Sequence, residues 1–515
     1  MTFTGIPPLY GRDTPADPPA EQAGPRSDDG PDLGDLGDLR LQAGITLRFL
    51  GRLVVQAAVL GLVLGRVHSV LLAAMVAVLI GLALVVRFPS PGSVAYLGAF
   101  AAVTPDTITV LHIGGTPITA RTVVFALFSG LTLVSVLRGT MRLRVPTPLL
   151  LAGLAMAAVI GTAENGRTKS LLEFVILMLL PPIAGATLAT DRRLAVELLR
   201  GLTAGTFLVI AFAIFEGIQN HDYLISAANV GTFVRAGHVR TTAGWDYPTT
   251  LSAFLCLAGF FVAHLLRTRW GFLGLALGGA LVTGAVITTQ ARSGLLGLAA
   301  GVLAYLLLQR KASQAIGALS GLGGIVALVL VFPGAAPGSF RTFLSQSLTS
   351  GSAANSNVVY RQDLYTDAHA AVAVHPWFGW GYGSGNSVAT NELGKYFGQL
   401  TDLASLPVSL AVQLGLVGTA CVFLFLLVVV IRTIRARHLP ERLPLATGLI
   451  ASFVAMIGVP VTPPLTWMLL LAGVAWTLTG RPPQRSADVM EAEDPEPAAD
   501  AEFDTPPWAA FRQAG

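Results

Sequence analysis

The chain has 515 residues, of which 53% are hydrophobic and only 12% charged, and its net charge is +4. A soluble globular protein carries about 25% charged residues, so this balance excludes that class and points to a membrane protein. The basic residues are scattered between apolar runs instead of gathered on one face, which argues against a nucleic-acid binder.

In chain order, residues 1–46 are rich in Pro, Gly and Asp and are expected to form a disordered tail without the basic start and apolar core of a signal peptide. A membrane helix needs about 20 apolar residues, and runs of that kind give about 14 spans. They lie near 49–65, 68–87, 92–105, 119–138, 147–163, 170–190, 197–218, 247–266, 270–290, 293–308, 315–333, 406–431, 443–459 and 463–479. Some of the first three are short for a full crossing. Residues 481–515 form a second polar tail. The expected fold is therefore all-α, a polytopic transmembrane helix bundle of about 12–14 spans. Residues 47–333 carry its first part, 334–405 a large external loop domain with short helices, and 406–480 the last three spans. Cys256 and Cys421 fall inside apolar segments and are expected to be packing residues, neither bridged nor metal-bound.

Charge placement orients the bundle. Arg87, Arg138/Arg142/Arg144, Arg192/Arg193, Arg267/Arg269, Arg310/Lys311 and Arg432/Arg435/Arg437/Arg442 fall in alternate short loops, which are therefore expected in the cytoplasm together with both tails. Segments 106–118, 164–169, 219–246, 291–292, 334–405 and 460–462 are then external. In a chain lacking Cys256 and Cys421, a cysteine at position 352 should react with an impermeant thiol reagent added outside, and one at position 486 should not. Labelling of position 486 from outside would reverse the orientation.

The stretch "TTQARSG", residues 288–294, divides a tract from 270 to 308. As one helix that tract would be about 58 Å long, against a hydrocarbon core of about 30 Å. The chain must fold back there, which sets Arg292 at the external end of two helices. An arginine at a helix end commonly snorkels to headgroups. External turns disfavour arginine, however, and its planar fork suits a lipid phosphate. Arg240 precedes the eighth span in "RTTAG", and Arg361 opens a helix expected over 357–374. On that helix Arg361, Tyr365, Ala368 and Val372 share one face, while Asp363 and Asp367 lie on another. His375-Pro376 ends it, because a residue before proline avoids the α region. The following "GWGYGSGN" lacks the Lys-Ser/Thr and the strand of a phosphate loop. Its glycines instead suit a turn that re-enters against the membrane, or an ordinary flexible turn.

Three motifs stand in this order: "RTTAG", "TQARSG", and an Arg-led loop helix running into "PWFGWGYGSGN" before a span that opens near "LAVQLGLVG". Over roughly residues 200 to 430 the chain thereby resembles the O-antigen ligase and O-antigen polymerase family of bacterial envelope glycosyltransferases. The resemblance implies an inner-membrane enzyme of cell-surface or exopolysaccharide biosynthesis. Such an enzyme moves or polymerises a glycan from an undecaprenyl-pyrophosphate carrier onto a glycan or lipid acceptor hydroxyl at the external face, with no cofactor and no metal. It also implies that Arg292 and Arg361 bind the pyrophosphate and that Arg240 assists, with His375 beside the substrate. The ligases' His-Asn pair is expected about where Ala404 and Ser405 stand, and its absence favours a polymerase over a ligase.

The chemistry needs cations to stabilise the leaving pyrophosphate and a base near the acceptor hydroxyl. Asp402, His375, His369, Asp246 and Asp363 are candidates for the base, with Asp402 preferred for its place just before a span. Asp402 serves equally as a helix N-cap. A transporter or flippase of lipid-linked glycan is the alternative. It would place charges mid-bilayer and repeat one half in the other. The chain shows no internal repeat, and Glu173 and Glu216 lie near span ends. A membrane scaffold without chemistry is a third reading.

Overall fold

A computed structural model describes residues 91–104, 109–113, 116–164, 168–224, 234–235, 238–309, 365–384, 405–437, 439–458 and 464–480. All of these belong to one compact unit, 63–515. The tails and the spans expected near 49–65, 68–87 and 315–333 lie outside the described residues.

The architecture is all-α. Helices α1 (Pro91–Val103), α2 (Ala120–Leu137) and α3 (Pro148–Glu164) come first. A segmented span follows, made of α4 (Thr168–Phe174), a π-helical turn over Val175–Leu179, and α5 (Leu180–Leu188). Next come α6 (Arg192–Gln219), α7 (Pro248–Thr288) and α8 (Arg292–Leu308). A helix over residues 365–374, α9, precedes α10 (Leu406–Arg435), α11 (Arg442–Met456) and α12 (Pro464–Thr479). Two antiparallel hairpins are the strands among the described residues. β1 (Thr109–Ile113) pairs with β2 (Thr116–Thr119), Ile113 opposite Thr116, and β3 (Val234–Arg235) pairs with β4 (His238–Val239).

Among the described residues, five stretches are long and apolar enough to cross a membrane: Ala120–Leu137, Ser170–Leu188, Arg192–Gln219, Pro248–Thr288 and Leu406–Arg435. Shorter apolar helices cover Pro148–Ala163, Arg292–Leu308, Arg442–Met456 and Pro464–Thr479. The 41-residue α7 is in fact a hairpin of two helices, because Trp270 and Gly271 leave helical geometry and Gly271 takes φ 58°. Its arms run antiparallel. A Cβ on Gly259 would touch Val282, one on Gly278 would touch Ala263, and one on Gly274 would overlap the Leu266 carbonyl. Spans 247–266 and 270–290 are thus separate, turned at the basic pair Arg267/Arg269 as the sequence indicates.

Glycine contacts give the other helices their directions. Gly201 packs on Ala95 and Gly205 on Ala99 and Ala102, so α1 runs parallel to α6. Gly153 meets Cys421, and Gly418 meets Ala157, so α3 and α10 are antiparallel. Gly297 meets Ala455, and Gly301 meets Ala451, so α8 and α11 are antiparallel. Helices that pass this close do so because glycine carries no side chain there, the usual packing of spans whose lipid-facing surroundings supply no hydrophobic drive. The chain therefore alternates direction. One end of the bundle gathers the start of α2, the end of α6, the start of α7, the turn into α8 and the start of α10. We call it the Arg292 end. Arg138, Arg142, Arg144, Arg192, Arg193, Arg267, Arg269, Arg432, Arg435, Arg437 and Arg442 all lie at the other end. Cys256 is buried and donates its thiol to the Gly294 carbonyl (3.2 Å), and Cys421 packs at Gly153, so both are packing residues.

Candidate active site

The turn that carries Arg292 is built by Thr289, Gln290 and Ala291. The Thr289 hydroxyl donates to the Val286 carbonyl (2.6 Å) and accepts the Ala291 N–H (3.2 Å). Gln290 takes φ 51°, the left-handed step that reverses the chain. Ala291 caps α8, and Arg292 is its first residue, exposed at the bundle end. The start of α8 is held close to its neighbours, since Gly294 abuts Ser252 and Gly458 abuts Ser293.

The Arg240 stretch lies directly against this turn. Thr241 donates its N–H to the Thr288 carbonyl (3.2 Å), and the two threonine hydroxyls share a hydrogen bond of 2.8 Å. Arg240 Nε donates to the Thr289 carbonyl (3.1 Å). Two motifs separated by about fifty residues along the chain thus form one ledge. Below it, Ala243 (φ 45°) and Gly244 (φ 82°) take left-handed steps. The buried carboxylate of Glu216, near the end of α6, accepts the Ala243 N–H (3.0 Å) with one oxygen and the Tyr223 N–H (3.2 Å) with the other. Asp222, also buried, accepts the Thr242 hydroxyl (2.7 Å) and the Leu224 N–H (3.2 Å). Trp245 is wholly buried and stacks on Phe254 at 4.5 Å between centroids. The Arg121 guanidinium lies 3.5 Å from the Trp245 ring centroid. Its Nε and Nη2 both donate to the Thr104 carbonyl, at 3.1 and 2.7 Å.

The third motif docks elsewhere at this end, against α3 and α10. Helix α9 stops at His375, as the following proline requires, and the chain then dips into the bundle. Gly415 breaks α10 with φ 64° and ψ −171°. Such a break leaves the Val412 carbonyl and the N–H groups of Leu416 and Val417 without helical partners. The turn supplies them: Trp380 N–H donates to Val412 (2.9 Å), Leu416 N–H to Pro376 (2.8 Å), and Val417 N–H to Trp377 (3.1 Å). Gln413 Oε1 accepts the Gly383 N–H (2.9 Å). On the other side, Gly161 of α3 lets the backbone of Phe378, Gly379 and Gly381 approach. Gly415 is nine residues into α10, so the turn reaches about 13 Å below the helix start. Irregular backbone at that depth is tolerated only when protein satisfies it. This is a re-entrant turn, the first of the two readings that the glycines allowed. Tyr382 at its tip is buried against Phe174 (5.6 Å between centroids).

Among the sequence candidates, Arg240 is brought to the turn that leads into Arg292. His375 is half-buried, its ring edge-on to Trp380 at 4.3 Å. His369 is exposed and Asp246 half-buried. Arg361, Asp363 and Asp402 lie outside the described residues. On α9, Ala368, Ala371 and Asp367 are buried while Tyr365 is 40% exposed, so the helix turns its Asp367 side inward. It is rolled there because the Ala371 carbonyl accepts Trp380 Nε1 (2.8 Å), and Ala368 and Ala371 pack with Trp380 and Val412. Sequence reasoning did not single out Arg121, or Glu216 as a ligand of the Arg240 stretch. An arginine one residue into an apolar span was the available signal for the first. Among the described residues no three His, Cys, Asp or Glu side chains gather as metal ligands would.

An all-α bundle of apolar helices with buried ionisable groups at one end defines a multi-pass membrane protein. Residues 277–423 match the model of a family described as O-antigen ligase, and over that stretch the chain is similar to this family of membrane enzymes. The matched stretch contains the Arg292 turn, Arg361, the re-entrant turn and Gly415. The "RTTAG" motif at 240–244 precedes it. No curated protein matches the chain.

Proposed function

We propose that the protein transfers or polymerises a glycan from an undecaprenyl-pyrophosphate carrier onto an acceptor hydroxyl at the external face of the bacterial inner membrane, and that it is a polymerase in preference to a ligase. The observation that carries this reading is the ledge on which Arg240 meets the turn into Arg292, at the bundle end away from the basic loops. Two arginines carried by one ledge would match the charge of a pyrophosphate leaving group without reorganising during the reaction. Arg361, in the loop before α9, is proposed to complete the set, with His375 near the sugar.

Transfer also needs the acceptor oxygen freed of its proton as it attacks the anomeric carbon and the carrier pyrophosphate departs. Asp402 is the proposed base. Asp402→Asn keeps size and hydrogen bonding but removes basicity. In purified enzyme given a lipid-linked glycan it should stop transfer and leave carrier binding intact. Normal transfer by that variant would reduce Asp402 to a cap and move the role to His375 or Asp246. The reading as a whole is tested by deleting the gene and analysing surface glycans, one of which should shorten or disappear. Unchanged glycans with altered uptake of small solutes would replace the enzyme with a transporter.

A further inference from the structure

We infer that Glu216 and Arg121 are positioning residues: they hold the 241–245 segment so that Arg240 is set against the turn into Arg292. The inference rests on the proposed role of those arginines at the donor pyrophosphate. Three observations carry it. First, Glu216 is wholly buried, yet both of its oxygens are used on backbone N–H groups, one of them that of Ala243. Ala243 stands at φ 45°, a region where any side chain beyond hydrogen is disfavoured, and the carboxylate is the group that anchors it there. Second, Asp222 grips the neighbouring Thr242 through its hydroxyl, so two adjacent residues of the segment are tied to carboxylates from the end of α6. Third, Arg121 is 2% exposed, an expensive state for a cation in an apolar bundle. It lies over Trp245 and ties that ring to the end of α1 through the Thr104 carbonyl.

These contacts act on one short segment from two sides. Its upstream end, Thr241, is bonded to Thr288, and Arg240 follows from there onto Thr289. Neither Glu216 nor Arg121 reaches solvent, so each is assigned to geometry and not to contact with substrate.

The test uses the full-length protein in detergent, with undecaprenyl pyrophosphate in the same micelles as the probe. A glutamine at 216 has one acceptor oxygen and presents an amide donor to the second N–H, so Glu216→Gln breaks one of the two anchors. Glu216→Gln and Arg240→Ala should each weaken carrier binding about tenfold, the usual scale for one charged hydrogen bond. Combined, they should weaken it no further, because both remove the same guanidinium contact. Ala243→Gly should restore most of the loss in the Glu216→Gln background, since glycine holds the left-handed step unaided. A general packing defect would show neither the non-additivity nor the rescue. Arg121→Met is expected to follow the same pattern with Arg240→Ala. Should Glu216→Gln fail to accumulate, Thr242→Val reads the same clamp through Asp222. Carrier binding that is normal in Glu216→Gln and Arg121→Met but weak in Arg240→Ala overturns this inference alone. Independent, additive losses also overturn it alone. Normal binding in Arg240→Ala, or none in the unaltered protein, overturns the donor-site reading and this inference with it.

Discussion

Replacing Arg292 with alanine is expected to lower glycan assembly about a hundredfold or more while protein level stays normal. Arg292 is the first residue of α8 and is exposed. A cation at a helix N-terminus meets the positive end of the helix dipole, so helix stability gives no reason for arginine at this place. Removing it relieves the repulsion from the helix dipole, so the helix itself gains slightly. The loss should fall on turnover, because a contact to the departing pyrophosphate strengthens as negative charge develops on it. Arg361→Ala should behave alike. Lysine at 292 should restore little, since an ammonium cannot bridge two phosphate oxygens in the plane of a fork. The measurement is surface-glycan length in a deletion strain carrying each variant, with membrane protein level as the control. Glycan of ordinary length in both alanine variants would end the donor role of these arginines.

Much of the bundle was legible because long apolar runs and short basic loops are local signals. The hairpin inside Pro248–Thr288 shows this best: Arg267 and Arg269 followed by Trp270-Gly271 mark a turn, and the chain turns there. The reversal at Gln290 was legible from length alone. The assembly of the ledge was not. Nothing in "RTTAG" or "TQARSG" says that Thr241 will face Thr288, because that register is set by α6 and both arms of α7 packing together. Arg121 escaped attention for the same reason: its partner ring is brought to it by tertiary packing, and an arginine near a span end reads as a snorkelling residue until the ring is seen. Which side of α9 turns inward was not legible, because helical periodicity finds faces and not neighbours. Trp380, which draws that face inward, comes after the helix has ended.

The same limit hid Gly415, whose substitution should have the second large effect. The chain has 56 glycines, and this one stands in a run that reads as uninterrupted helix. Its φ of 64° with ψ of −171° lies in a region that is essentially glycine-only. A Cβ there would overlap the Trp377 carbonyl and press on the Phe378 nitrogen. Those are backbone atoms, so no side-chain rotation relieves the clash. Gly415→Ala therefore favours a straight α10, in which Leu416 and Val417 recover helical partners and the turn over 376–384 loses its own. Strain of this kind costs about 1–3 kcal/mol before the clash is counted, so the undocked state should rise about tenfold to a hundredfold. Ser384 reports it directly, being buried in the docked turn. In a background free of Cys256 and Cys421, Ser384→Cys should react slowly with a water-soluble maleimide, and adding Gly415→Ala should accelerate the reaction by that factor. Glycan assembly should fall in parallel, because the docked turn fixes where α9 ends relative to the start of α10. Equal labelling rates in the two backgrounds would mean that something other than the Gly415 break holds the turn in the bundle.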